Sequence, residues 1–129
     1  MTKVVVYGSL LKGLGNHRVL GDSEFIGECT FQGRMFSLGA YPCVSIHGNT
    51  TIKGEMYDVS DSTLRDLDRL EGHPRFYCRE VVETSRGPAW VYLINNADQQ
   101  GYTKVVQSGD WRDYYEHKNT DEWRAYHEA

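Results

Sequence analysis

Long hydrophobic runs, basic clusters and paired cysteines are all missing from this chain. The amino terminus "MTKVVVYGS" offers three consecutive valines before polar and glycine residues, too few for a signal-peptide core or a membrane span, so no membrane partner is expected. Cys29, Cys43 and Cys78 are odd in number and contain no Cys-x-x-Cys pair. That spacing argues against a disulfide framework or structural zinc and for reduced thiols in a cytoplasmic setting. The five histidines form no His-x3-His or His-Glu-x-x-His pair, so no metal is expected. The 14 Lys and Arg are scattered against 18 Asp and Glu, giving a net charge of −4 and a pI of about 5.7. Nucleic-acid binding needs a clustered basic surface and is not expected either. What is present is an ordinary globular balance, 40% apolar and 25% charged over 129 residues, enough for a single domain spanning 1–129 with one core.

Most of the chain reads as short strands separated by glycine-containing turns. "KVVVY" (3–7) is a continuous apolar run, the mark of a strand covered on both faces. "EFIGECTFQGRMFSL" (24–38) has strand-type residues broken at Gly27 and Gly33. "YPCVSIHGNTTIKGEMYDV" (41–59) reads as a hairpin turning at Gly48-Asn49, and "FYCREVVET" with "AWVYLIN" as a second hairpin around "SRGP". Five or six strands without regular β-α alternation predict an α+β fold, a small mixed β-barrel with flanking helices. The clearest helix is 60–72, with Ser60 as N-cap, Asp61 in the first turn, and Gly72 and Pro74 as stop signals. A shorter helix is expected over 16–20, and "DEWRAYHEA" at the carboxyl end is helix-compatible.

Two stretches carry chemistry. "VVVYGSLLKG" has the Gly8-x4-Gly13 spacing of the front half of a phosphate loop, but Leu14 and Gly15 stand where Lys and Ser/Thr would be needed. The dinucleotide fingerprint fails as well, since Arg18 occupies the place of its third glycine. Two readings stay open for residues 8–10. Their amides, lying past the end of a strand, form a nest for a carboxylate or an oxyanion; or Gly8 merely permits a tight turn.

The second stretch is the end of the 60–72 helix. At about 100° per residue, Glu71 projects about 40° from the centre of the Leu64, Leu67 and Leu70 stripe, whereas Asp66 and Asp68 lie about 100° away. Glu71 is thus aimed toward the core side, where desolvation raises a carboxyl pKa toward neutrality and suits it to general acid–base work. The alternative is a helix that ends at Leu70 and leaves Glu71 in water.

"YGSLLKGLGNHRVL" (7–20) resembles the amino-terminal motif of the γ-glutamylcyclotransferase-like family, most closely its γ-glutamylamine cyclotransferase branch. Similar segments follow in order: "YPCV" (41–44), "GEMYDVSDSTLRDLDRLEGHPRFYCREVV" (54–82) and "AWVY" (89–92). The tail "QSGDWRDYYEHKNTDEW" has no counterpart in that branch. The resemblance implies a small β-barrel, a small-molecule γ-glutamyl substrate and no cofactor. It also implies that the loop of Tyr7, Gly8, Ser9 and Leu10 holds the glutamyl group, that Tyr92 contributes to the site, and that Glu71 is the catalytic acid–base.

The chemistry so implied is intramolecular acyl transfer, with loss of the amine and closure of 5-oxoproline. A transferase or amide hydrolase on the same site and a non-catalytic γ-glutamyl-binding module are the alternatives. Asn16 suits an N-cap or a ligand contact, and His17 and Arg18 suit ordering of the loop. Cys43 and Cys78 have strand-like contexts that favour burial over reactivity. The aromatic cluster Trp111, Tyr114, Tyr115 and Trp123 suits either a cover for the barrel or a partner surface.

Overall fold

The computed structural model describes residues 1–94, 102 and 104–117. Five strands, β1 (Thr2–Val6), β2 (Glu24–Ser37), β3 (Pro42–Val59), β4 (Tyr77–Thr84) and β5 (Gly87–Ile94), form one mixed sheet in the order β2-β3-β1-β5-β4. Helix α1 (Asp61–Glu71) joins β3 to β4, a single 3-10 turn (His17–Leu20) follows the first loop, and α2 (Trp111–His117) comes last. The α+β class is as expected. Among the described residues, no helix is long and apolar enough to cross a membrane.

Strand β1 owes its central place to its composition. Val4, Val5 and Val6 are almost wholly buried, with β3 antiparallel on one side and β5 parallel on the other. An uninterrupted apolar run is what a strand shielded on both faces requires. Helix α1 begins as its sequence directs: the Ser60 hydroxyl accepts the Thr63 N–H at 3.2 Å, and Gly72 ends the helix in a left-handed conformation at φ 66°.

Several expectations need correction. The sheet is not a closed barrel. Its edges, β2 and β4, come together only beside the β4–β5 turn, where the Ser85 N–H donates to Thr30 O and the Thr30 N–H to Ser85 Oγ, both at 2.9 Å. Elsewhere the free edge of β2 is taken by residues 104–106, through Ser37 N–H to Lys104 O at 2.8 Å and Val106 N–H to Met35 O at 2.9 Å.

Gly48-Asn49 is not a hairpin turn. Strand β3 runs unbroken from Pro42 to Val59, and the chain reverses earlier, where the Leu38 N–H reaches Tyr41 O. Both halves of β3 find apolar partners on the same long strand, Phe31 against Ile52 and Met35 against Val44. Folding the segment back on itself would give up one of those rows. The register jump from Gly33↔Thr50 to Arg34↔Ser45 leaves residues 46–49 as a bulge, and Gly27 and Gly33 mark register shifts rather than strand ends.

Leu70, placed on the core side by its spacing, is 43% exposed. The 16–20 helix is reduced to the His17–Leu20 turn, whose Asn16 cap makes no side-chain capping bond. The helix-compatible segment 121–129, and with it Trp123, lies outside the described residues. Of the aromatic cluster, Trp111 is buried and stacked on Tyr114 with centroids 5.1 Å apart, while Tyr115 is exposed.

Candidate active site

At the exit of β1 the chain must leave a sheet that is occupied on both sides, and residues 7–16 do so as a tightly held loop. The Leu11 N–H donates to Gly8 O at 2.9 Å, the Asn16 N–H to Ser9 O at 2.9 Å, and Asn16 Nδ2 to Ser9 Oγ at 2.9 Å. His17 Nδ1–H donates to Leu10 O at 2.9 Å and Arg18 to Gly15 O at 2.8 Å, so both side chains order the loop. Among the described residues, none of these loop bonds is donated by the N–H of Gly8, Ser9 or Leu10. Gly8 has no unusual φ; its reason is proximity. A Cβ there would stand 2.7 Å from Cγ and 2.8 Å from Cδ of Pro42.

The loop opens on a cavity of about 280 Å³, the small end of the range for ligand pockets. Tyr7, Gly8, Ser9, Leu10, Glu71 and Tyr92 all line it, with Pro42 and Tyr77 among the other wall residues. Residues from the first strand's exit, the end of α1 and β5, some 85 positions apart in sequence, thus face one space. The hydroxyls of the site candidates Tyr7 and Tyr92 are engaged within the protein: the Tyr7 hydroxyl donates to Tyr92 O at 2.5 Å, and the Tyr92 hydroxyl to Asp68 Oδ1 at 2.7 Å. The Tyr77 hydroxyl donates to Pro42 O at 2.6 Å.

Glu71 is the last residue of α1 and is half-buried at the cavity. Burial pushes its carboxyl up to about 7 from an ordinary 4.5. Among the described residues no hydrogen bond or ion pair reaches it. Burial, with the Glu71 charge adding to it, raises the phenols of Tyr7, Tyr77 and Tyr92. The carboxyl therefore shares one cavity with three aromatic rings and with residues 8–10, whose N–H groups donate none of the loop bonds found among the described residues. Such a site can take a proton from a bound group near neutral pH, return it, and hold an anion.

Two supporting networks were not anticipated. Asp68, set aside by the helical wheel, receives Arg79 Nε at 2.8 Å and Nη2 at 3.2 Å as well as the Tyr92 hydroxyl. Burial works to raise its pKa, but Arg79 and Tyr92 outweigh it and the net shift is downward. This network fastens the last turns of α1 to β4 and β5, one helical turn from Glu71. The sequence carries Asp68 within Leu67-Asp68-x-x-Glu71-Gly72, but its partners Arg79 and Tyr92 lie 11 and 24 positions away, and nothing local shows that they meet.

Glu55, buried in β3, accepts the Lys12 N–H at 2.9 Å, the Tyr57 hydroxyl at 3.0 Å and Arg112 at 3.0 Å. Arg112 also donates to Lys12 O at 2.7 Å. Here too burial raises the carboxyl, and the three bonds more than reverse the effect. Glu55 thereby ties the loop to the sheet and to α2, and only its place inside a strand could have hinted at that. Burial pushes the thiols of Cys29 and Cys43 up to about 11 and about 12, which leaves neither as a nucleophile.

Comparison with known proteins bears on this arrangement. The sequence model of the family described as "Gamma-glutamyl cyclotransferase, AIG2-like" matches residues 4–113. The "Gamma-glutamylcyclotransferase family protein YtfP" of Escherichia coli is 33% identical over 112 residues, covering 86% of this chain and 96% of that protein. The "Gamma-glutamylaminecyclotransferase" of Bos taurus is 35% identical over 114 residues, covering 75% of this chain and 67% of that protein. The crystal structure of an uncharacterised Pyrococcus horikoshii protein superposes with a TM-score of 0.75 at 25% identity, covering 93% of this chain and all of that one.

Proposed function

Because the chain belongs to the gamma-glutamyl cyclotransferase, AIG2-like family, we propose that it converts γ-glutamyl amides of amines or amino acids to 5-oxoproline and the free amine. The observation that carries the reading is the Glu71 carboxyl, poised at about 7, in one cavity with the amides of residues 8–10. The name of the bovine relative favours amines as leaving groups.

A γ-glutamyl amide carries its own nucleophile. Its α-amine can close a five-membered ring on the γ-carbonyl, and holding the substrate folded supplies much of the acceleration. The α-ammonium must first lose a proton, since free α-amines titrate near 8. Glu71 accepts that proton, the amine nitrogen bonds to the γ-carbon, and Glu71 returns the proton to the departing nitrogen as the amide C–N bond breaks. The second proton, shed by the ring nitrogen as it becomes the lactam N–H, leaves with the amine, which departs as its ammonium. No water is consumed, and atoms balance between substrate, lactam and amine. The amides of Gly8, Ser9 and Leu10 bind the substrate carboxylate or the charge growing on the carbonyl oxygen. The rings of Tyr7 and Tyr92 wall the glutamyl group and keep Glu71 desolvated.

Incubation with γ-glutamyl methylamide in ¹⁸O-water, followed by mass spectrometry, separates this chemistry from its neighbours. Unlabelled 5-oxoproline is the expected product. ¹⁸O-labelled glutamate would establish a hydrolase instead, and tight binding of unconsumed γ-glutamyl compounds by calorimetry would favour a binding module.

A further inference from the structure

The cavity has an inside and a rim of different chemistry. Tyr7, Gly8, Leu10, Pro42, Tyr77 and Tyr92 are buried, whereas Tyr41, Leu70 and Phe76 are 41%, 43% and 41% exposed and line the same space. Isolated exposed apolar residues are ordinary. Here three of the eight large hydrophobic residues exposed on the described chain gather at one mouth, from the β2–β3 turn, the end of α1 and the loop before β4. Tyr41 and Phe76 meet edge to face, 6.4 Å apart at 89°, and Phe76 packs in turn on buried Tyr77 at 4.7 Å. The rim is therefore an ordered aromatic surface continuous with the cavity wall.

We propose that Tyr41, Leu70 and Phe76 form the leaving-group subsite, and that it selects γ-glutamyl amides of primary amines bearing an aromatic or bulky apolar group. The proposal rests on the cyclisation reading. In that reaction the glutamyl part must fold inside the enclosed space, while the amine, which departs to solvent, lies across the open side. Its nitrogen must be within reach of Glu71, whose chain neighbour is Leu70, so the first carbons of the amine lie on Leu70 and those beyond on Phe76 and Tyr41. A carboxylate on the carbon next to that nitrogen, as in a γ-glutamyl amino acid, would stand close to the Glu71 carboxyl in a poorly solvated space, and like charges there repel strongly. Aromatic groups gain from the rim both by burial and by edge-to-face packing.

The test compares kcat/KM for γ-glutamyl methylamide, γ-glutamyl phenethylamide and γ-glutamylphenylalanine, the last two differing only by a carboxylate. The phenethylamide is expected to exceed each of the others by about tenfold or more, the range in which a hydrophobic subsite discriminates. Phe76→Ala and Tyr41→Ala, checked for folding by thermal melts, should each lower the phenethyl-to-methyl ratio severalfold. Equal turnover of methylamide and phenethylamide overturns the subsite while leaving cyclisation intact, as does equal turnover of γ-glutamylphenylalanine. Failure of all three to yield 5-oxoproline removes the cyclisation reading and the subsite together. If the rim is instead a contact between two copies, Phe76→Ala will change the sedimentation coefficient and leave the ratio alone, which also overturns the proposal.

Discussion

Replacing Glu71 by glutamine removes a titrating group from an apolar cavity with little change in size, and so isolates what burial of that carboxyl does to the fold. The carboxyl titrates near 7 in the folded chain against an ordinary 4.5, so the native state holds the proton to higher pH than the unfolded chain does. Its contribution to stability is complete below 4.5 and is lost as pH rises through about 7. At about 1.4 kcal/mol per pH unit the full loss is about 3 kcal/mol, nearly all of it in place by pH 8.5 and less than about 1 kcal/mol of it at pH 5. Glutamine carries no such dependence. Thermal melts of wild type and Glu71→Gln should therefore separate as pH rises, the variant melting roughly 10 °C higher at pH 8.5 for a domain of this size and close to wild type at pH 5. Other carboxylates affect both proteins alike and cancel in the difference. A difference that stays flat from pH 5 to 8.5 would show that Glu71 titrates as a solvated residue, and the acid–base reading would lose its physical basis.

The same titration should appear in turnover, with kcat rising as pH climbs to about 7, because the ionised carboxylate is the form that accepts the amine proton, and falling again once the α-amine no longer brings a proton for the departing nitrogen. A plateau down to pH 5 would contradict this. Gly8→Ala would drive a methyl group within 2.7 Å of the Pro42 ring, and about 1–3 kcal/mol of stability should be lost by urea titration. Glu55→Ala strips the acceptor from the Lys12 N–H, Tyr57 and Arg112. A loss of about 2–3 kcal/mol is expected, with faster hydrogen exchange at residues 8–12. Tyr92→Phe deletes the bond to Asp68 and should lower stability by about 1 kcal/mol.

Local chemistry explains which features were legible in the sequence. Val4–Val6 announces a doubly covered strand, because no other setting hides an unbroken β-branched run, and Ser60 and Gly72 mark the helix through bonds made within a few residues. Periodicity aims Glu71 inward but leaves open a helix that ends at Leu70; the structure carries α1 through Glu71 and lines the cavity of the 8–10 loop with it. Leu70 shows the limit of the same argument. A helical wheel specifies direction but not whether anything lies in that direction, and beyond Leu70 lies the cavity mouth. Gly48-Asn49 has turn chemistry, yet the long partner strand β2 decides its fate from outside the segment. Barrel closure likewise depends on how far β2 and β4 approach, which no pattern within either strand encodes. Glu55 and Asp68 were hidden for a related reason. Their partners, Lys12 and Arg112 for one and Arg79 and Tyr92 for the other, are remote in sequence, so their burial is intelligible only once the fold brings the partners together.

The central claim is that one desolvated carboxyl moves the proton during lactam formation. Its most direct measurement is the rate of 5-oxoproline release from a γ-glutamyl amide by wild type and by folded Glu71→Gln at pH 7.5. The account predicts a fall in kcat of about 10²- to 10⁴-fold; a variant releasing the lactam within a few fold of the wild-type rate would contradict it.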